Sequence, residues 1–161
     1  MIVVSNTSPI INLAAIEKLD LLQRLYGKIT IPKAVYREIV IDGAGEPGAM
    51  VVQTLEWIET KQVKNPMLAH ALQTELHEGE AEAIALSVEL KADLLLLDER
   101  RGRKVASNLR IQFIGLLGVI IEARHKAYIL AVKPVLDDLV TKAGFWVSQQ
   151  LYTRVLQVAG E

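Results

Sequence analysis

With 161 residues, 51% of them hydrophobic, the chain is long enough to bury one ordinary core and too short for two. The lack of Cys excludes disulfide stapling, a thiol nucleophile and a Cys-type zinc site, while a formal net charge of −1 excludes a uniformly basic nucleic-acid coat but not a local basic track. No stretch approaches the roughly 18 uninterrupted apolar residues of a membrane span, and Met1 leads into a β-like run instead of a secretory signal, so a cytoplasmic protein is expected.

Ile2-Val3-Val4 is a short apolar run rich in β-branched residues and reads as a buried strand. Ser5-Asn6-Thr7-Ser8-Pro9 follows, a stretch of capping residues with Pro placed for a first helical turn. Apolar positions Ile10, Leu13, Ala14, Leu21, Leu22 and Leu25 recur at helical spacing until Gly27, which ends the second of two short helices. Ile29-Thr30-Ile31 is the second strand. Pro32 opens a helix carrying Val35, Ile39 and Val40, and Asp42 to Gly48 reads as a loop that could serve as a flexible flap. Trp57-Ile58-Glu59 is a third, edge strand, and Pro66 begins a helix through Leu68, Leu72 and Leu76.

Glu80 to Leu90 is a helix of strong helix formers, and Leu94 to Leu97 suits a strand buried on both faces, ended by Asp98. A short basic helix around Val105 and Leu109, a strand at Gln112-Phe113-Ile114 and a helix from Leu116 to Lys126 come next. Two helices, at 134–143 and 148–158, close the chain. Strands alternating with helices imply right-handed crossovers. The expected architecture is α/β, a three-layer α/β/α sandwich with a mostly parallel central sheet. It forms one domain over 1–161, with 134–161 as a C-terminal helical extension.

In such sheets functional groups collect beyond the carboxyl ends of the strands, where the winding reverses. Asn6 and Asp98 each follow a strand, Glu38 sits on the helix after the second strand, and Glu80 opens the helix leading to the Asp98 strand. Oxygen-bearing side chains of this kind suit a hard cation such as Mg²⁺ or Mn²⁺, which can polarise a phosphate and activate water. Arg100, Arg101, Arg103 and Lys104 follow directly, and Lys33 and Arg37 flank Glu38, so a phosphate-binding track beside the acids is expected. Each position also has a plainer reading. Asp98 could be a helix N-cap, Glu80 a favourable charge at a helix N-terminus, Glu38 an exposed acid, Asn6 a turn residue, and the cationic run a solvated face. His77-Glu78 makes no zinc-binding pair, and Trp57 and Trp146 read as core or interface anchors. No P-loop, Rossmann fingerprint or nucleophile elbow is present.

Four pieces carry a family resemblance: Val3 to Pro9; Ile31-Pro32 with Val35 and Glu38; Gly79-Glu80-Ala81-Glu82-Ala83-Ile84; and Leu94 to Asp98. Over roughly its first three quarters the chain resembles PIN-domain proteins, the fold of VapC-type toxin ribonucleases. More narrowly it is similar to a prokaryotic PIN-like subfamily with a Ser-Asn/Asp-Thr-Ser-Pro start and a Gly-Glu-Ala-Glu-Ala-Ile motif. The resemblance implies a sheet ordered 3-2-1-4-5 and a quartet, Asn6, Glu38, Glu80 and Asp98, that holds Mg²⁺ or Mn²⁺ for RNA cleavage. It also implies the toxin role of a toxin-antitoxin pair, with an antitoxin protein as partner.

Asn6 departs from the pattern, since an Asp is usual there and an amide brings no charge. The alternative is therefore a catalytically weakened or inactive module that binds RNA or a partner. Glu82 competes with Glu80, but Gly79 before Glu80 and the separation from Asp98 favour the latter. A phosphoacceptor domain using Asp98 is a poorer reading, because Ser5-Asn6 replaces the acids expected near the first strand. The last two helices, with Leu136, Leu139, Val140, Phe145, Trp146 and Leu151, carry more apolar residues than one sheet flank needs. A homodimer or an antitoxin groove is expected at that end.

Overall fold

Alternate residues of β1 (Val3–Ser5) point to opposite faces, and in the computed structural model, which describes residues 1–161, each face meets its own core. Val3 joins a cluster of 25 buried side chains on one side, and Val4 joins a cluster of nine on the other. Further strands are β2 (Ile29–Pro32), β3 (Ile58–Lys61), β4 (Leu94–Leu96) and β5 (Phe113–Ile114). They form one sheet in the order β3-β2-β1-β4-β5 with every neighbouring pair parallel, as expected.

Helices cover both faces: α1 (Thr7–Ala15), α2 (Asp20–Tyr26), α3 (Lys33–Tyr36), α4 (Pro47–Thr54), α5 (Pro66–Leu72), α6 (Glu78–Leu90), α7 (Arg100–Asn108), α8 (Leu116–His125), α9 (Val132–Thr141) and α10 (Gln149–Val158). The larger core lies among α1, α2, α8 and α9, and the smaller one beneath α6 and α7. Val135, Leu136 and Leu139 of α9 and Val155 of α10 belong to the larger core, so the segment 134–161 packs as part of the main body. No helix is long and apolar enough to cross a membrane.

The winding runs from β1 outward to β3, then returns to the other side of β1 for β4 and β5, which puts the switch point between β1 and β4. Ser5 pairs with Leu96, and the Asn6 amide donates to the Leu96 carbonyl at 3.0 Å. Residues leaving β1 and β4 therefore start side by side.

Three local features depart from the sequence reading. The expected loop at Asp42–Gly48 is shorter, because α4 begins at Pro47, where a missing N–H costs a helix nothing. Four consecutive apolar residues, Ala49 to Val52, hide the helical period of α4. The helix bearing Glu38 does not stay α-helical, for α3 widens into a π-helical stretch at Arg37–Asp42. Finally, α6 starts at Glu78, which places Gly79 and Glu80 together in its first turn.

Candidate functional site

Asn6 precedes α1 in extended backbone, yet its side chain makes no capping bond. The residue is buried, and its Oδ1 has no hydrogen-bond partner. A buried acceptor left unmatched costs about 1–3 kcal/mol, so this oxygen suits a donor or cation that the protein itself does not provide. The neighbouring Thr7 hydroxyl donates to Glu38 Oε2, tying the π-helical stretch to the start of α1. At Gly79 a Cβ would stand 2.7 Å from Glu38 Oε2 and 2.8 Å from its Cδ, so only glycine lets α6 begin against that carboxylate.

Glu80, 7% exposed, accepts from the His77 amide at 3.4 Å, and its other oxygen lies 3.1 Å from where a Cβ on Gly102 of α7 would stand. Asn6, Thr7, Glu38, His77, Glu80 and Glu99 line one pocket of about 390 Å³. Glu82 is used elsewhere: its Oε1 accepts from the Ala34 amide at 3.1 Å, capping α3.

Asp98 turns to one side. Its Oδ1 accepts from the Leu116 amide at 2.8 Å, capping α8 from 18 residues upstream, and lies 3.6 Å from Arg103 Nη2. Its Oδ2 is buried without a partner. Asp98 lines a larger neighbouring cleft that shares Ser8 and Glu99 with the acidic pocket. Asn6, Glu38 and Glu80 are thus brought around one cavity, Asp98 borders the next, and Glu99 faces both. Sequence reasoning passed over Glu99 and Thr7; the signal for Glu99 was only a second acid directly after Asp98.

Burial pushes the Glu80 carboxyl above its ordinary range, against the His77 amide and with help from the negative charges of Glu99 and Glu38. Burial likewise raises Asp98, opposed by the Leu116 amide and the Arg103 guanidinium, with Glu99 adding to the rise. Burial thus disfavours the charged form of each acid, and positive charge placed beside either would favour it. The donors are all oxygens, and two of them, Asn6 Oδ1 and Asp98 Oδ2, lack partners, so the set fits a hard divalent cation. No group of three or more acidic or histidine side chains is placed to hold a metal ion by itself, so several of the acids could act on a cation only through water. Mg²⁺ commonly binds in that way, through one or two carboxylates with several waters retained.

The basic residues divide into two groups. Arg103 Nε donates to the Leu97 carbonyl at 3.0 Å and its guanidinium sits 5.7 Å from the Phe113 ring centroid, so it braces Asp98. Arg37 is paired with Glu78 at 3.3 Å. Arg100, Arg101, Lys104 and Lys33 are exposed. Arg100 and Arg101 border a third cavity, whose wall includes His77, Glu80 and Glu99.

A family model described as PIN domain matches residues 2–161 of the chain. No curated protein matches it.

Proposed function

The chain belongs to the PIN-domain family, a nuclease-type fold, and from that premise we propose that it is a Mg²⁺- or Mn²⁺-dependent endoribonuclease. The observation that carries the reading is the pocket at the sheet's switch point, which gathers Glu38, Glu80 and Glu99 around the partnerless Asn6 Oδ1. Glu38, Glu80 and Asp98 would hold the cation, directly or through water, with Asn6 and Glu99 completing the donor set. A divalent cation in such a site supplies Lewis-acid relief of the charge building on a phosphate and makes nearby water more acidic. Thr7 keeps the Glu38 carboxylate oriented, and Arg103 with the Leu116 amide does the same for Asp98. Arg100, Arg101 and Lys104, with Lys33 and Arg37 on the other flank, would contact the RNA backbone.

The test is Mn²⁺-dependent cleavage of a pool of structured RNAs by the wild type and by Glu80→Gln purified identically. Loss of cleavage by at least about 100-fold in the variant is expected, since a charged donor is replaced by a neutral one. Equal activity in both would sink the reading. Asp98→Ala is a poorer probe, because it also removes the cap on α8.

A second reading, a binding module with weakened or absent cleavage, is favoured by Asn6 itself, a neutral amide where the family usually has an acid. If Asn6→Asp creates Mn²⁺ binding and cleavage that the wild type lacks, this second reading prevails.

In biological setting we infer the toxin half of a toxin-antitoxin pair in the cytoplasm. Induced expression of the wild type should arrest growth while Glu80→Gln does not, and growth unaffected by the wild type would remove the toxin role. Self-association would use Leu130 and Val140, both exposed at the two ends of α9. Sedimentation showing only monomer at high concentration would exclude the homodimer.

A further inference from the structure

The cleft beside the acidic pocket has a volume of about 920 Å³ and lies between β5, the start of α8 and the segment from Gly144 to Val158. Its floor is apolar, with Leu117, Ile121, Phe145 and Val155 among its side chains, and Arg100, Arg103 and Arg154 are its cations. Trp146, read from the sequence as a core or interface anchor, is instead 81% exposed in the irregular segment before α10 and lines this cleft. Arg103 is already held by Asp98 and Leu97, so Arg100 and Arg154 are the cations left for a ligand. The cleft and the acidic pocket share Ser8 and Glu99, so the two adjoin.

We propose that this cleft is a subsite for an unpaired nucleobase and its phosphate, with Trp146 as the stacking platform and Arg154 as a phosphate ligand. The inference rests on the nuclease reading for its substrate class and goes beyond it in assigning a second cleft of this chain, and Trp146 and Arg154 within it, to one nucleotide of the strand.

Three features favour this occupant. An apolar floor beneath an open indole accepts the faces of a base, whatever its identity. Cations at the mouth complement the backbone charge that must accompany that base. The shared residues Ser8 and Glu99 put the cleft next to the acids, within reach of one strand. In a duplex each base is stacked and paired and offers no free face, so a platform of this kind reads only splayed or single-stranded nucleotides.

The chain has two tryptophans, and Trp57 lies beside β3 at the far edge of the sheet, so a Trp57→Phe variant makes Trp146 the only indole. Its emission is followed in a chelator-containing buffer while a mixed-sequence RNA 12-mer is added, first as a single strand and then as a duplex. Anisotropy of the labelled 12-mer gives affinities for the full chain and for Trp146→Ala and Arg154→Ala. Both residues are exposed, and unchanged unfolding midpoints would establish that the variants fold.

Quenching by the single strand at a concentration where the duplex has little effect is expected. Trp146→Ala should weaken single-strand binding about five- to a hundredfold. Arg154→Ala should weaken it and flatten its salt dependence. Equal affinity for both forms, or single-strand binding that leaves Trp146 emission unchanged, would overturn the proposal. A concentration-dependent change in Trp146 emission without RNA, with dimers in sedimentation, would also overturn it by giving the cleft to a second copy. Quenching without Mn²⁺-dependent cleavage upholds the subsite and fails the nuclease reading. Cleavage without quenching does the reverse.

Discussion

Glu80 is the residue at which function and stability most clearly oppose each other. Its folded-state pKa is raised, by burial first, above the ordinary 4.5, so the folded chain binds that proton more tightly than the unfolded one. Stability from this group is therefore fullest below the ordinary value and falls as pH climbs through the raised one. Glu80→Gln should raise the unfolding midpoint at neutral pH by about 2–4 °C, read by calorimetry, while abolishing cleavage. The three glycines against the acids offer a subtler probe. Gly79 abuts Glu38, Gly102 abuts Glu80, and at Gly115 a Cβ would stand 2.8 Å from Asp98 Oδ1. Gly79→Ala replaces none of the proposed ligands but pushes the Glu38 carboxylate aside, and Mn²⁺ affinity by titration calorimetry should fall about 10- to 100-fold. Unchanged affinity would remove Glu38 from the site. That Asn6, Glu38 and Glu80 line one pocket could be anticipated, Asn6 and Glu80 because each borders an element and Glu38 because the family resemblance marks its helix. The place of Glu99 could not, since it depends on Asp98 being turned aside by Arg103 and by the distant Leu116 amide.

At the scale of elements, the π-helical stretch at Arg37–Asp42 is where the sequence reading and the structure part most. Nothing in Arg37-Glu38-Ile39-Val40-Ile41-Asp42 distinguishes a π turn from an α turn; the packing of Ile39 into the main core and the Thr7–Glu38 bond hold the wider register. Helix α4 was missed for the different reason that a short apolar run has no readable period. At the other end of the chain the Glu161 side chain accepts from the Val132 amide at 2.7 Å and the Lys133 amide at 3.1 Å, capping α9 across 29 and 28 residues. Those two amides, Val132 first, hold its carboxyl below the ordinary 4.5. The sign is opposite to that of Glu80: the stabilisation is present above 4.5 and lost as pH falls through the depressed value. Glu161→Gln should lower the unfolding midpoint near neutrality, and the gap from wild type should close on acidification. A gap that persists at low pH would mean that the carboxylate charge is not what matters.

For the whole molecule, the alternation of short apolar runs with helical periods made the parallel sheet legible, while the strand order came with the family resemblance. What that pattern left open was how much the last two helices contribute to the main core. Leu136 is fully buried there, and Leu136→Ala should cost about 2–5 kcal/mol in urea unfolding, far more than loss of a peripheral helix contact. A cost under about 1 kcal/mol would mean that α9 is merely appended. The topology also bears on synthesis. Asn6 emerges early, but its neighbours at the switch point, Leu96 to Glu99, lie some ninety residues later, and the core that supports them draws on Leu139 and Val155. A chain growing from its N-terminus therefore has no fully supported acidic pocket until Val155 has been made. If cleavage of cellular RNA is its task, the ribosome that makes the protein is shielded from it, until those late residues emerge, by the order of the elements alone.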